Sequence, residues 1–193
     1  MRAVIGHSQL RQVAFCGPYG VGKTTAVRVV SDTPVVNTDV SSAGAGLAPR
    51  PGSPRKLTTT VGIDYGEWRA PDGAQVAVLG TPGQERFATL RKNALARGSG
   101  IVLWLFGDKD YAVDEGEEWI NFLGDSLVWH RLTLAITRYG ENAAAPPLAA
   151  YRRMMDTYDR TMALAVADPR ERADVEQILQ LALRLPETAG KTA

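Results

Sequence analysis

The residues best suited to chemistry lie in one run, Gly17-Pro18-Tyr19-Gly20-Val21-Gly22-Lys23-Thr24, which satisfies the pattern GxxxxGK[ST] in full and is followed by Thr25. Glycines let a backbone curl until successive N–H groups face one anion, and a helix that starts there adds partial positive charge. In such a cradle a lysine neutralises the outer phosphates and a threonine hydroxyl can ligate magnesium. The spacing therefore marks Gly17, Tyr19, Gly20, Val21, Gly22, Lys23, Thr24 and Thr25 as phosphate-binding residues, with Thr24 also a metal ligand. A plain strand-to-helix turn would use the glycines too, but it has no need of the Lys-Thr pair.

Two further stretches carry polar residues downstream of this cradle: Thr58-Thr59-Thr60-Val61-Gly62-Ile63-Asp64-Tyr65-Gly66, and Gly80-Thr81-Pro82-Gly83-Gln84-Glu85-Arg86-Phe87. Taken singly, Thr60 reads equally well as a β-branched strand residue, and Gln84 as an exposed side chain at a helix start. With a complete phosphate cradle upstream, both read as functional residues. The two stretches resemble the switches of Ras-like small GTPases, and "TVGIDYG" is similar to the Rab version of that strand. Bacterial relatives resemble them more closely: the actinobacterial conservon-type (CvnD-like) GTP-binding proteins, with "TTTVAMDFG" and "FGTPGQERF", and more distantly the MglA polarity GTPases. By the order of its elements the resemblance runs from Gln12 to Leu185.

That resemblance implies a three-layer α/β P-loop domain over residues 11–185, with about six mostly parallel strands, one antiparallel strand and helices on both faces. It implies an N-terminal extension at 1–10, switch I at 34–60, switch II at 80–91 and a flexible tail at 186–193. Thr60 would bind magnesium and the γ-phosphate, Gly83 would sense the γ-phosphate and Gln84 would position the attacking water. Gln84, Lys23 and Thr60 then form the catalytic set, and Thr24 and Thr60 the metal ligands. GTP/GDP and Mg2+ are the implied cofactors, and the implied activity is slow GTP hydrolysis that changes a partner. An accelerating arginine would come from a partner or from Arg50 or Arg55. A roadblock-type regulator, an effector and recruitment to a membrane through a partner are implied in the same way.

The sequence departs from the family pattern in two places. Gly80 stands where such switches carry a magnesium-linked aspartate, so the ion is expected to depend on Thr24, the phosphates and, in the loaded state, Thr60. Thr137-Arg138-Tyr139-Gly140 stands where Asn-Lys-x-Asp would read guanine. Thr137 can replace the asparagine and Arg138 can stack on a purine, but Gly140 offers no carboxylate. Glu141 either swings in or stays solvated. A pseudo-GTPase scaffold and a P-loop protein that uses ATP therefore remain as alternative readings.

Positioning these residues takes a particular order of elements. The apolar run 12–16 leads into the glycines as a buried strand, and 24–30 follows as a helix stopped by Ser31-Asp32-Thr33-Pro34. Residues 34–58 lack periodicity and read as a mobile loop. Strands are expected at 60–69 and 74–79, joined at Pro71-Asp72-Gly73 as an antiparallel hairpin, and again at 101–106, 132–137 and 162–166. Helices are expected at 85–97, 114–124, 147–159 and 170–184, the last with Asp168 as its cap, Pro169 in its first turn and Glu171 completing a capping box. This alternation predicts a mainly parallel sheet covered on both faces.

Composition narrows the setting. The 22 basic and 21 acidic residues leave a net charge of +1, which supplies no field to recruit nucleic acid or an anionic membrane. The single Cys16 cannot form an internal disulfide, which fits a reducing cytoplasm. His7 and His130 fall in no metal-ligand spacing. The longest apolar run, Ile101 to Phe106, is far short of the ~20 residues of a membrane span, so no direct insertion is expected. At 193 residues, 45% of them hydrophobic, one domain with one core is the expectation.

Overall fold

The structure, a computed structural model, describes residues 11–40, 61–81, 100–124 and 129–185. Its seven strands are β1 (Arg11–Cys16), β2 (Val36–Val40), β3 (Val61–Arg69), β4 (Gln75–Gly80), β5 (Gly100–Phe106), β6 (Leu132–Thr137) and β7 (Ala163–Val166). The helices are α1 (Lys23–Val30), α2 (Ala112–Leu123), α3 (Leu148–Asp156) and α4 (Arg172–Leu183). The strands form one sheet in the order β2-β3-β4-β1-β5-β6-β7. Among the described strands only β3 runs against the others, pairing antiparallel with both β2 and β4.

Residue alternation builds the two faces. In β5, Ile101, Leu103 and Leu105 point to one side, where they meet Ala112, Ile120 and Leu123 of α2 and Tyr151, Met154 and Met155 of α3. Val102 and Trp104 point to the other side, against Ala26, Val27 and Val30 of α1 and Val175, Ile178 and Leu179 of α4. Trp104 meets Phe15 of β1 edge-on, with ring centroids 5.9 Å apart. A strand buried on both faces needs such a continuous apolar run, and parallel pairing in turn needs helical crossovers. No helix of the described residues is long and apolar enough to cross a membrane.

The fold class agrees with the expectation, and three details differ. A seventh strand, β2, occupies part of the stretch read as loop. Its sequence VNTDV does not alternate, and its pairing with β3, Val36 opposite Tyr65 through Val40 opposite Val61, is what defines it. The last helix begins at Arg172 rather than near 170, and Asp168 does not cap it. Its carboxylate instead accepts the backbone N–H of Arg170 (2.9 Å) and pairs with the Arg170 guanidinium (2.6 Å), which closes a turn before the helix. Glu171, at the N-cap position, makes no side-chain capping bond, so the capping box is absent. The helix expected at 85–97 lies outside the described residues.

The hairpin β3–β4 closes as expected, with Gly73 N–H donating to the Ala70 carbonyl (2.8 Å) and Ala70 N–H to the Ala74 carbonyl (2.9 Å). Counting outward from Arg69 opposite Gln75, the register sets Asp64 opposite Gly80. Beyond Gly80, Thr81 is buried and its hydroxyl and N–H both donate to the Phe15 carbonyl, each at 2.9 Å, which ties the end of β4 to β1.

The chain leaves β1 toward the β4 side of the sheet and leaves β5 toward the β6 side. In open α/β sheets a ligand crevice forms beyond the carboxyl ends of strands at such a reversal. The glycine run after β1 and the segment after β5 both stand at this point.

Candidate functional site

Between β1 and α1 the backbone follows a path that only glycines take readily: φ is 129° at Gly17, 78° at Gly20 and 109° at Gly22. Gly17 also passes so close to β5 that a Cβ would collide with the Trp104 carbonyl. Gly22 is the N-cap of α1 and makes no side-chain cap, so the first N–H groups of the helix have no partner supplied by a capping side chain. Pro18 and Val21 are buried, whereas Tyr19 is 80% exposed beside the loop.

Lys23 is buried, and its ammonium donates to the carbonyls of Gly17 (2.8 Å) and Pro18 (2.7 Å), folded back across the loop it follows. Burying a cation is costly unless it is hydrogen-bonded, and these two carbonyls meet that need. Glu115 of α2 lies close enough to feel this charge. Burial pushes the Glu115 carboxyl above its ordinary value, Glu118 adds to the push and Lys23 opposes it. Thr24 and Thr25 begin α1 on its exposed side. The Thr24 hydroxyl donates to Asp64 Oδ2 at 2.5 Å, and Asp64 is itself buried.

A cleft of about 560 Å3 runs from the start of α1 to the ends of β6 and β7. Gly20, Val21, Gly22 and Thr25 line one side, Thr137, Arg138, Tyr139 and Glu141 another, and Val166 to Arg170 with Asp174 the rest. The fold thus brings the cradle and the Thr137-Arg138 pair, more than a hundred residues apart in sequence, around one space. Thr137 is buried at the end of β6, where its carbonyl accepts the N–H of Gly107 (2.6 Å). Arg138 adopts φ 54° and lays its guanidinium over the Phe106 ring, 5.1 Å from the centroid. The Gly140 position faces open space, and Glu141 is exposed at the rim. Asp168 enters the cleft wall from the β7–α4 turn, and its bonds with the Arg170 side chain and backbone hold its carboxyl below the usual range.

Of the expected site residues, Gly17, Tyr19, Gly20, Val21, Gly22, Lys23, Thr24, Thr25, Thr137 and Arg138 lie in or beside the crevice. Thr60, Gly83 and Gln84 lie outside the described residues, as do Arg50 and Arg55. No motif in the sequence marks Asp64 as a site residue, and Asp168, expected as a helix cap, lines the cleft. The signal for Asp64 was available in the hairpin: once the turn is placed at 71–73, pairing outward sets it opposite Gly80.

Among solved structures the chain is similar to the cytosolic domain of the T. maritima FeoB iron transporter in its GMPPNP form, with a TM-score of 0.55 and 14% identity. The match covers 91% of this chain and 63% of that one, so this chain spans less than two thirds of the structure it matches. At that identity the likeness shows the fold alone. No protein-family model and no curated protein matches the chain.

Proposed function

We propose that this protein is a magnesium-dependent guanine-nucleotide switch that hydrolyses GTP slowly, of the Ras-like type found in the bacterial conservon and MglA groups. The observation that carries the reading is the cradle itself: a buried Lys23 folded back over a left-handed glycine loop that also lines one side of the cleft. The FeoB domain of similar fold was solved with GMPPNP, a triphosphate analogue, which supports nucleotide binding by the same architecture here.

The residues divide the work. Arriving phosphates compete with the Gly17 and Pro18 carbonyls for the Lys23 ammonium, and the N-terminal end of α1 faces the negative charge. Thr24 supplies a hydroxyl to the magnesium ion, which when bound neutralises charge on the phosphate oxygens. Thr137 and Arg138 line the space for the base. Thr60, Gly83 and Gln84 would respond to the γ-phosphate and orient water, and release of their segments on hydrolysis would change the partner, a roadblock-type regulator or an effector. Through such a partner the protein would reach a membrane from the cytoplasm.

One observation favours a second reading, an adenine nucleotide: Gly140 turns into open space with no carboxylate where guanine would be read. Identification of the nucleotide that copurifies with the protein, followed by competition of GTP, GDP and ATP for the site, decides between them. Copurified GDP or GTP displaced more readily by guanine nucleotides than by ATP is expected; displacement by ATP as effective as by GTP at equal concentration contradicts the guanine assignment.

A further inference from the structure

We propose that Asp64 is the carboxylate of the magnesium site, supplied from β3 because Gly80 on β4 leaves room for it. This rests on the nucleotide reading above and names a residue of the same site. Three observations carry it. Asp64 and Gly80 are register partners in the antiparallel pair, so their side-chain positions lie on one face of the sheet, adjacent across the strands. A Cβ on Gly80 would sit 3.2 Å from both the Cβ and Oδ2 of Asp64 and 3.3 Å from Val27 Cγ2, so the Asp64 carboxylate leans into the space a side chain at 80 would use. The same Oδ2 accepts the Thr24 hydroxyl at 2.5 Å, at the first turn of the helix that follows the cradle.

Burial makes the arrangement costly without a ligand. Asp64 is only 7% exposed and makes no salt bridge among the described residues, while a buried carboxylate is expensive unless it is paired. A hydroxyl and a carboxylate side by side form the hard-oxygen pair that magnesium takes from a protein, the rest of its shell coming from phosphates and retained water. Either strand could deliver a carboxylate to this point, since partners in the register converge there. Glycine at 80 and aspartate at 64 are therefore complementary, and two large side chains would not fit.

The consequence differs from the expectation drawn from Gly80 alone. Thr60 would join only in the loaded state, but Asp64 stands on a strand paired on both sides and faces Thr24 whichever nucleotide is bound. Magnesium should then strengthen diphosphate binding as well as triphosphate binding.

The test is a titration of MgCl2 into the full chain with GDP and, separately, with GTP, reading nucleotide affinity with and without EDTA. Asp64→Asn keeps the shape and the contact to Thr24. It is expected to weaken magnesium binding about 10- to 100-fold for both nucleotides, without lowering nucleotide affinity in EDTA, where loss of the charge relieves repulsion of the phosphates. The exchange variant, Asp64→Gly with Gly80→Asp, returns the carboxylate to β4 and is expected to restore most of the dependence. Unchanged magnesium dependence in Asp64→Asn overturns the inference alone, as does an exchange variant that folds and binds nucleotide with no response to magnesium. Failure of the parent protein to bind either nucleotide overturns the nucleotide reading and this inference with it.

Discussion

Gly22→Ala is the substitution on which the fold and the site press hardest. Gly22 sits at φ 109°, ψ 9°, well beyond the region near +60° that an alanine tolerates. Forcing an L-residue into a left-handed conformation costs roughly 1–2 kcal/mol. Sterics add to this, because a Cβ would lie 2.5 Å from Cγ and 2.9 Å from Cβ of Pro169, a ring that cannot rotate away. Overpacking of that kind costs typically about 1–3 kcal/mol, so the total is about 2–5 kcal/mol. Gly20→Ala is the internal control: φ is 78° and nothing lies within 4 Å of its Cβ, leaving only the conformational part. For a chain of this length each kcal/mol moves Tm by about 2–4 °C, so Gly22→Ala should melt on the order of 10 °C below the parent and Gly20→Ala about half as far. Relief of the Pro169 contact would also shift the Asp168–Arg170 turn that walls the cleft. Urea and thermal unfolding of nucleotide-free protein, followed by tryptophan fluorescence, measure both variants. Equal destabilisation by the two would refute the packing of the cradle against the β7–α4 turn.

Glu115→Gln is expected to stabilise the protein at neutral pH. Glu115 Oε2 is buried without a hydrogen-bond partner, and burial raises its carboxyl, so the folded state holds that proton more tightly than the unfolded chain does. Stability is therefore lost as pH rises through that raised value, and the advantage of glutamine should shrink on acidification; unfolding midpoints across pH check it, and a less stable Gln variant at neutral pH would mean that Lys23 outweighs burial. Gln84→Leu should slow single-turnover GTP hydrolysis with little change in nucleotide affinity, and equal rates would remove Gln84 from the chemistry. The preference for GTP over ATP should be smaller than a full aspartate clamp gives, by up to the ~1–3 kcal/mol of a bidentate base contact. A strong preference that vanishes in Glu141→Ala would show that the loop carboxylate reads the base.

The elements legible in the sequence were those with local causes. The continuous apolar runs of β5 and β6, the turn signal at Pro71-Asp72-Gly73 and the strand–glycine–helix order around the cradle all announce themselves within a few residues. What escaped was set at a distance. β2 exists because β3 offers it an edge, and the residues VNTDV carry no period of their own. Asp168 is a good cap by type, yet Arg170, two residues on, engages its carboxylate from both backbone and side chain. Arg138, which can stack on a purine, lies over the ring of Phe106 from the neighbouring strand, a contact that no local pattern announces. Asp64 carries no local signal, and the register alone places it opposite a glycine and beside Thr24.

The central claim is that Lys23 and its loop hold the phosphates of a nucleotide. Calorimetric titration of GTP with magnesium into the full chain and into Lys23→Ala tests it most directly. The claim predicts saturable, one-to-one binding to the parent and loss of binding in the variant, with the circular dichroism of the two proteins superimposable. Equal affinity in both proteins, or no binding of GTP or ATP to the parent, would contradict it.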